Sequence, residues 1–320
     1  MISVVMPVYN GAKTIADALA SVVANQHQNL EILVVDDCST DTTRDVVLCF
    51  AEKDPRIKLL QTPFNIGPGG ARNIALNAVR GEWVTLIDAD DMWAAGRASS
   101  LLHAAESLHA DVVLDNHLLF DHALNKISGQ TRFAGADKQA LLTPENFFRF
   151  DNLFQTPIFI SKWHNSIGYS QPFMRTDFLV RHNIRYLTKY RVHEDILFLT
   201  DMVMAGAKIV VLPYAFYIYR LRTSPATGKA SPFSHTKSST QANVQVCDEI
   251  IEKYREKLSS RVLGQLRRRK KYLSAMEKQK SLRATGAFFS AFGMFFKEPL
   301  LIAVKMSNPL KKIIELFSTR

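Results

Sequence analysis

Three acidic groupings have residue types and spacing that could do chemistry. Asp36-Asp37-Cys38-Ser39-Thr40-Asp41 and Asp88-Ala89-Asp90-Asp91 each follow a short apolar run, and Glu194-Asp195 opens a stretch of helical periodicity. Carboxylates crowded this closely repel one another, and a hard divalent cation or hydrogen bonds from backbone and ligand donors relieve the repulsion. An acidic pair at a helix start is favoured by the macrodipole, yet a carboxylate held there can also take the proton of a hydroxyl. Helix capping alone would account for either of the first two clusters singly. Both together, each directly behind a β-like run, point to a ligand site.

The elements that must position these acids can be read from the apolar pattern. Strands are predicted over residues 2–9, 30–35, 57–61, 83–87, 110–114 and 208–212. Helices are predicted over 14–24, 42–53 (capped by Ser39 or Thr40), 70–79 and from 194 to about 205. Short apolar strands alternating with amphipathic helices imply an α/β fold around a mostly parallel sheet. Ligands of such sheets bind beyond the carboxyl ends of the strands, where both Asp clusters fall.

Composition narrows the class. With 47% apolar and 22% charged residues among 320, the chain is globular rather than disordered, and 14 Gly with 12 Pro exclude a collagen-like repeat. Three cysteines without CxxC spacing suit a reducing compartment better than a disulfide framework or a zinc site. Met1 leads straight into the first strand, so no secretory leader is expected. Residues 251–320 hold 17 Lys+Arg against 5 Asp+Glu, whereas residues 1–250 hold 23 against 25. The net +10 therefore belongs to the end of the chain, which excludes a nucleic-acid-coated body. His193-Glu194-x-x-Leu is not a zinc-protease motif, and Gly67-Pro68-Gly69-Gly70 has the wrong spacing for a dinucleotide fingerprint.

Four motifs in order carry a more specific reading: Pro7-Val8-Tyr9-Asn10, Glu31-x-x-Val34-Val35-Asp36-Asp37-x-Ser39-x-Asp41, Asn65-x-Gly67-x-x-x-Ala71-Arg72-Asn73 and Asp88-Ala89-Asp90-Asp91. In order and spacing this resembles glycosyltransferase family 2, strongly over residues 1–125 and more weakly to about 225. Within the family it looks most like the bacterial exopolysaccharide transferases of succinoglycan assembly. The resemblance implies a GT-A nucleotide-sugar-binding fold, a UDP-sugar donor, a divalent metal (Mn2+ or Mg2+) and inversion at the anomeric carbon. By the family pattern Asp90, with Asp88 and Asp91 close by, would face the metal and the donor's diphosphate and ribose. Asp37, beside Asp36, would accept from a uracil N–H, with Pro7 and Tyr9 flanking the base. Arg72 would meet the diphosphate, unless it is an ordinary exposed helix arginine. Asp195 would be the general base with Glu194 beside it, and Arg220, in Tyr217-x-Tyr219-Arg220-x-Arg222-x-Ser224, would meet the donor phosphates. The implied acceptor is a saccharide on an undecaprenyl-type lipid.

The expected organisation is a catalytic domain over residues 1–240, with donor binding in 1–125 and the acceptor side and base in 110–225. Trp163-His164 and Gly168-Tyr169 fall on the acceptor side by elimination, His117 and His122 read as loop histidines, and residues 223–240 form either a loop over bound donor or a plain linker. Residues 241–320 read as a helical, basic, amphipathic tail in which Arg267-Arg268-Arg269-Lys270-Lys271 precedes a Phe-rich run over 288–296. Nine uncharged residues cannot span a bilayer. A basic cluster beside aromatic anchors, with further apolar stretches at 300–304 and 313–317, suits the anionic cytoplasmic face of a membrane. Packing of the run on the catalytic domain and a dimer interface are the competing readings. RNA binding would need an aromatic platform that the sequence lacks, so no nucleic-acid partner is expected. The alternative to an enzyme is a nucleotide- or saccharide-binding assembly subunit, and retention of both acid clusters and the Asp195 base argues against it. A sugar-nucleotide pyrophosphorylase would want a Gly-rich basic loop near the N-terminus, which residues 7–14 do not provide.

Overall fold

The computed structural model describes residues 1–25, 27–133, 138–151, 154, 167–221, 223–224, 227 and 240–284. The chain divides into two compact units, Met1–Phe147 with His164–Thr236, and Phe148–Trp163 with Lys237–Arg320.

The first unit opens with β1 (Ile2–Val8), α1 (Ile15–Val23), β2 (Leu30–Asp36), α2 (Thr43–Lys53), β3 (Ile57–Gln61), α3 (Pro68–Ala78) and β4 (Trp83–Leu86). There follow β5 (Met92–Trp93), α4 (Arg97–Ser107), β6 (Val112–Asp121), β7 (Lys126–Gln130), β8 (Ala140–Leu142), α5 (Pro144–Phe150, whose residues from Phe148 belong to the second unit), β9 (Phe173–Arg175), α6 (Thr176–Arg181), α7 (Glu194–Met204) and β10 (Ile209–Arg220). One mixed sheet joins the strands in the order β3-β2-β1-β4-β9-β6-β10-β5, with β7 on β6 and β8 on β10. Its long ladders are parallel: β1 with β2 and β4, β2 with β3, and β10 with β6. Register fixes the site, because Val8 pairs with Asp36 and Val5 with Leu86. Tyr9, Asp37 and Asp88 therefore leave the sheet at one edge.

The strands read as nearly continuous apolar runs because helices cover both faces of a parallel sheet. All seven residues of β2 are buried. Ile2, Val4 and Met6 share a core with Ile15, Leu19 and Val22 of α1, Val47 of α2 and Leu101 of α4. Under the same edge lies a fully buried ion pair. The Arg97 guanidinium donates to both oxygens of Asp115 at 3.2 and 2.9 Å and to the Gln171 carbonyl at 2.7 Å, with the Trp93 and Tyr217 rings against it. Such a pair persists only when its donors and acceptors are met.

Several sequence expectations are corrected here. α2 starts after Thr42, and its first turn is held by Asp41, which accepts the Thr43 N–H at 3.0 Å, while Ser39 and Thr40 bond to Asn10 instead. β6 is ten residues long and contains His117, a buried strand residue rather than a loop histidine. Burial and the neighbouring Arg97 charge push His117 down to about 3, so it stays neutral. β10 runs on through the Tyr217-x-Tyr219-Arg220 segment expected to follow it. Pro213 and register shifts between Val211 and Tyr217 hide that continuity in the sequence.

The second unit contains α8 (Thr240–Tyr254) and α9 (Ser260–Ala284). Val246, Cys247 and Ile250 of α8 are buried, as are Val262, Leu266, Tyr272 and Leu273 of α9. The Gln265 side-chain amide donates to the Phe148 and Phe154 carbonyls at 2.6 and 3.3 Å. Phe148 and Phe154, which the sequence assigns to the catalytic domain, thus bond to α9 within the second unit. Within the basic cluster Arg267, Arg268 and Lys271 are exposed, but Arg269 is buried. Burial pushes the Cys247 thiol up to about 12, which removes it as a nucleophile. Among the described residues no helix is long and apolar enough to cross a membrane. The stretches at 288–296, 300–304 and 313–317, Arg222, Trp163-His164 and most of the 223–240 segment lie outside the described residues.

Candidate active site

The carboxyl ends of β1 and β2 are laced together. Asn10 and Cys38 sit in left-handed conformations at φ 53° and 65°. Asn10 donates its N–H to the Ser39 hydroxyl and accepts the Thr40 N–H, at 2.9 and 2.8 Å. Asp36 accepts the Ser39 N–H at 3.1 Å. Tyr9, at the tip of β1, is 52% exposed beside half-buried Pro7. Asp37 is only 3% exposed, and its oxygens accept from the Thr62 hydroxyl at 2.8 Å and the Ile66 and Gly67 N–H groups at 2.9 and 2.8 Å. In the structure it anchors the loop leading into α3.

That loop ends at Gly67, whose φ of 83° turns the chain into α3. Gly69 lets the helix approach α7, since a Cβ there would lie 3.2 Å from Tyr186 Cβ and 3.6 Å from Glu194 Cγ. The close approach buries Arg72, so it is not an exposed helix arginine. Its Nη1 lies 3.0 Å from Glu194 Oε1 and 3.2 Å from Asp195 Oδ1, and its Nη2 lies 2.8 Å from Asp88 Oδ1. The guanidinium also lies over the Tyr186 ring, 5.2 Å from its centroid. One cation thus gathers carboxylates from two of the three acidic groupings.

At the end of β4, Asp88, Asp90 and Asp91 each offer an oxygen within 4.8 Å of the others. Gln171 Nε2 donates to Asp88 Oδ2 at 3.0 Å, and the Asp88 N–H donates to the Tyr217 hydroxyl at 3.1 Å. Asp91 accepts the Tyr217 O–H and the Arg220 N–H, both at 2.8 Å. The Arg220 guanidinium pairs with Asp17 at 2.6 Å. Burial, followed by the charges of Asp90 and Asp88, holds Asp91 well above the usual carboxylate range. A compact, all-oxygen, mutually repelling donor set of this kind fits a hard divalent cation.

At the start of α7, His193 takes the left-handed conformation (φ 66°) and so aims the acidic pair. The Glu194 side chain is 7% exposed and that of Asp195 is 22% exposed, so Asp195 is the member solvent reaches. Burial pushes Asp195 up to about 8. Arg72 opposes that rise, and the Glu194 and Asp88 charges add to it. A carboxylate titrating there has the affinity a general base needs near neutrality. Sequence reasoning missed Gln171 and Tyr186, which carry no motif, and saw Tyr217 only as part of a segment rather than as the hydroxyl tying Asp88 to Asp91.

The sequence model of glycosyl transferase family 2 matches residues 3–176. The chain belongs to glycosyltransferase family 2. The matched stretch holds every motif at the sheet edge and stops short of α7, and Arg72 within it pairs with Glu194 and Asp195 beyond it. The succinoglycan biosynthesis protein ExoO of Rhizobium meliloti is 31% identical over 221 residues, 69% of this chain and 61% of that protein. An Escherichia coli protein named UDP-Glc:alpha-D-GlcNAc-diphosphoundecaprenol beta-1,3-glucosyltransferase WfgD is 34% identical over 135 residues, 42% of this chain and 49% of that protein. The family member therefore spans less than two thirds of either relative. Among solved structures, S. aureus TarS 1-349 in complex with UDP-GlcNAc superposes with a TM-score of 0.67 at 23% identity, covering 91% of this chain and 81% of that one. That likeness shows a GT-A-like α/β fold.

Proposed function

We propose that the protein is an inverting glycosyltransferase that moves a sugar from a UDP-sugar to a saccharide acceptor, with Asp195 as general base. The observation that carries the reading is the Arg72 bridge, which holds Asp88 and Asp195 on one guanidinium although they lie far apart in sequence. Asp195 takes the proton of the attacking acceptor hydroxyl as oxygen bonds to the anomeric carbon, and the bond from that carbon to the UDP oxygen breaks on the opposite face. Asp90, with Asp88 and Asp91 beside it, would hold a Mn2+ or Mg2+ ion, which when bound neutralises the diphosphate leaving group. Tyr9 and Pro7 flank the nucleobase, and Asp36 and Asp37 shape its pocket through the turn and loop they fasten. Buried Arg72 keeps the carboxylates ordered before donor arrives, and Arg220 fastens Asp91 through its backbone.

The names of the Rhizobium and E. coli relatives support a lipid-linked saccharide acceptor and a place in exopolysaccharide synthesis. A panel of UDP-sugars incubated with protein and Mn2+ tests the activity through release of UDP. Release from at least one donor, abolished by chelator, is the expected result. UDP binding without release from any donor, with saccharide acceptor present, would establish the binding-only alternative.

Exposed Arg267, Arg268 and Lys271, set in a region with net charge +12, support peripheral attachment to an anionic membrane on its cytoplasmic side. Each basic side chain near such a surface contributes about 1 kcal/mol, and salt screens it. Co-sedimentation with anionic vesicles should weaken when these three become Gln and should fall with salt. Equal binding to neutral and anionic vesicles would contradict the attachment.

A further inference from the structure

We propose that Gln171 is a positioning residue that sets the Asp88 carboxylate for cation and UDP binding. The residue is 5% exposed, and its Nε2 donates to Asp88 Oδ2 at 3.0 Å, while Arg72 holds Oδ1 of the same carboxylate at 2.8 Å. Facing a carboxylate, the amide must present nitrogen, because oxygen against oxygen would repel. Oε1 is thereby turned away, and it is buried with no donor among the described residues. An orphaned buried acceptor costs stability, and an apolar side chain of similar shape would fill the space without that cost. The amide is therefore there for its one donor, and the donor goes to Asp88.

The backbone around Gln171 is fixed independently of that side chain. Its carbonyl accepts from Arg97, which is locked on Asp115, and the Ser170 N–H is bonded to the Ile167 carbonyl at 2.9 Å. Gly168 lies so close to α7 that a Cβ would come within 2.5 Å of Ile196 Cδ1. The segment from Ile167 to Gln171 is thus clamped to the helix carrying Asp195, and through Nε2 it orients an acid of the Asp88–Asp91 cluster. This gives a second link between the two ends of the site, besides Arg72. Loss of such an outer hydrogen bond around a metal carboxylate typically weakens metal binding about 10- to 100-fold.

The proposal rests on the reading of Asp88, Asp90 and Asp91 as a cation site, and the test separates the two. Mn2+ binding is measured by electron paramagnetic resonance, without nucleotide, for the full chain, for Gln171→Met and for Gln171→Leu, with thermal melting of each. The expected result is a melting temperature equal to or above that of the parent and Mn2+ affinity weaker by about tenfold or more in both variants. Parent-like Mn2+ affinity in either folded variant would overturn the positioning role alone. A parent chain that binds no Mn2+ would overturn the cation site, and this proposal with it.

Discussion

Asp195→Asn should leave UDP binding close to that of the parent and lower kcat by about 10²–10⁴-fold, the usual contribution of a positioned base. Asparagine keeps the shape and can still lie against Arg72, but it cannot take the acceptor proton. The pH profile is the sharper readout. Asp195 is pushed up to about 8, mainly by burial, so below that pH the protonated and inactive form dominates. The parent's kcat/KM should climb as pH rises through this range, and the variant should lose that ascending limb. Glu194→Gln is the contrast. Glu194 is the more buried partner of Arg72, so its loss should disturb the bridge and the melting temperature more than the chemistry. Were Glu194→Gln to remove the pH limb instead, with the fold intact, the base would be Glu194.

Asp90→Ala should abolish sugar transfer while the protein stays folded. Asp88 answers to Arg72 and Gln171, and Asp91 answers to Tyr217 and the Arg220 backbone. Asp91→Ala would strand a buried hydroxyl and a buried N–H, each worth about 1–3 kcal/mol when left unmet. Its expected effect is therefore a lower melting temperature, whereas half-buried Asp90 should lose cation binding with little change in stability. Circular dichroism melts beside transfer assays at saturating Mn2+ check the separation.

The sheet edge was legible in the sequence because parallel strands buried on both faces leave uninterrupted apolar runs, and the acids come directly after them. β3 falls where the 57–61 run placed it. The helix opened by Glu194-Asp195 was legible for a similar reason, since an acidic first turn precedes an apolar stripe. What could not be read was contact across long separations. Nothing local in Gly70-Ala71-Arg72 says that the arginine is buried, because burial depends on Gly69 admitting α7 from more than a hundred residues away. Gln171 has no partner nearby in sequence for the same reason. β10 was cut short at Leu212 because Pro213 resembles a strand end, and the packing of α8 and α9 within the second unit did not stand out because their basic residues outnumber the buried apolar ones.

If the Asp88–Asp91 cluster is a cation-assisted diphosphate site, the cation should strengthen UDP binding, which calorimetry reads. The parent chain and Asp90→Ala are each titrated with UDP in Mn2+ and in chelator. Mn2+ should tighten UDP binding to the parent by roughly tenfold or more, about 1.4 kcal/mol, and Asp90→Ala should lose this gain while melting like the parent. UDP affinity that is the same in Mn2+ and in chelator for the parent, or a gain kept intact by Asp90→Ala, would contradict it.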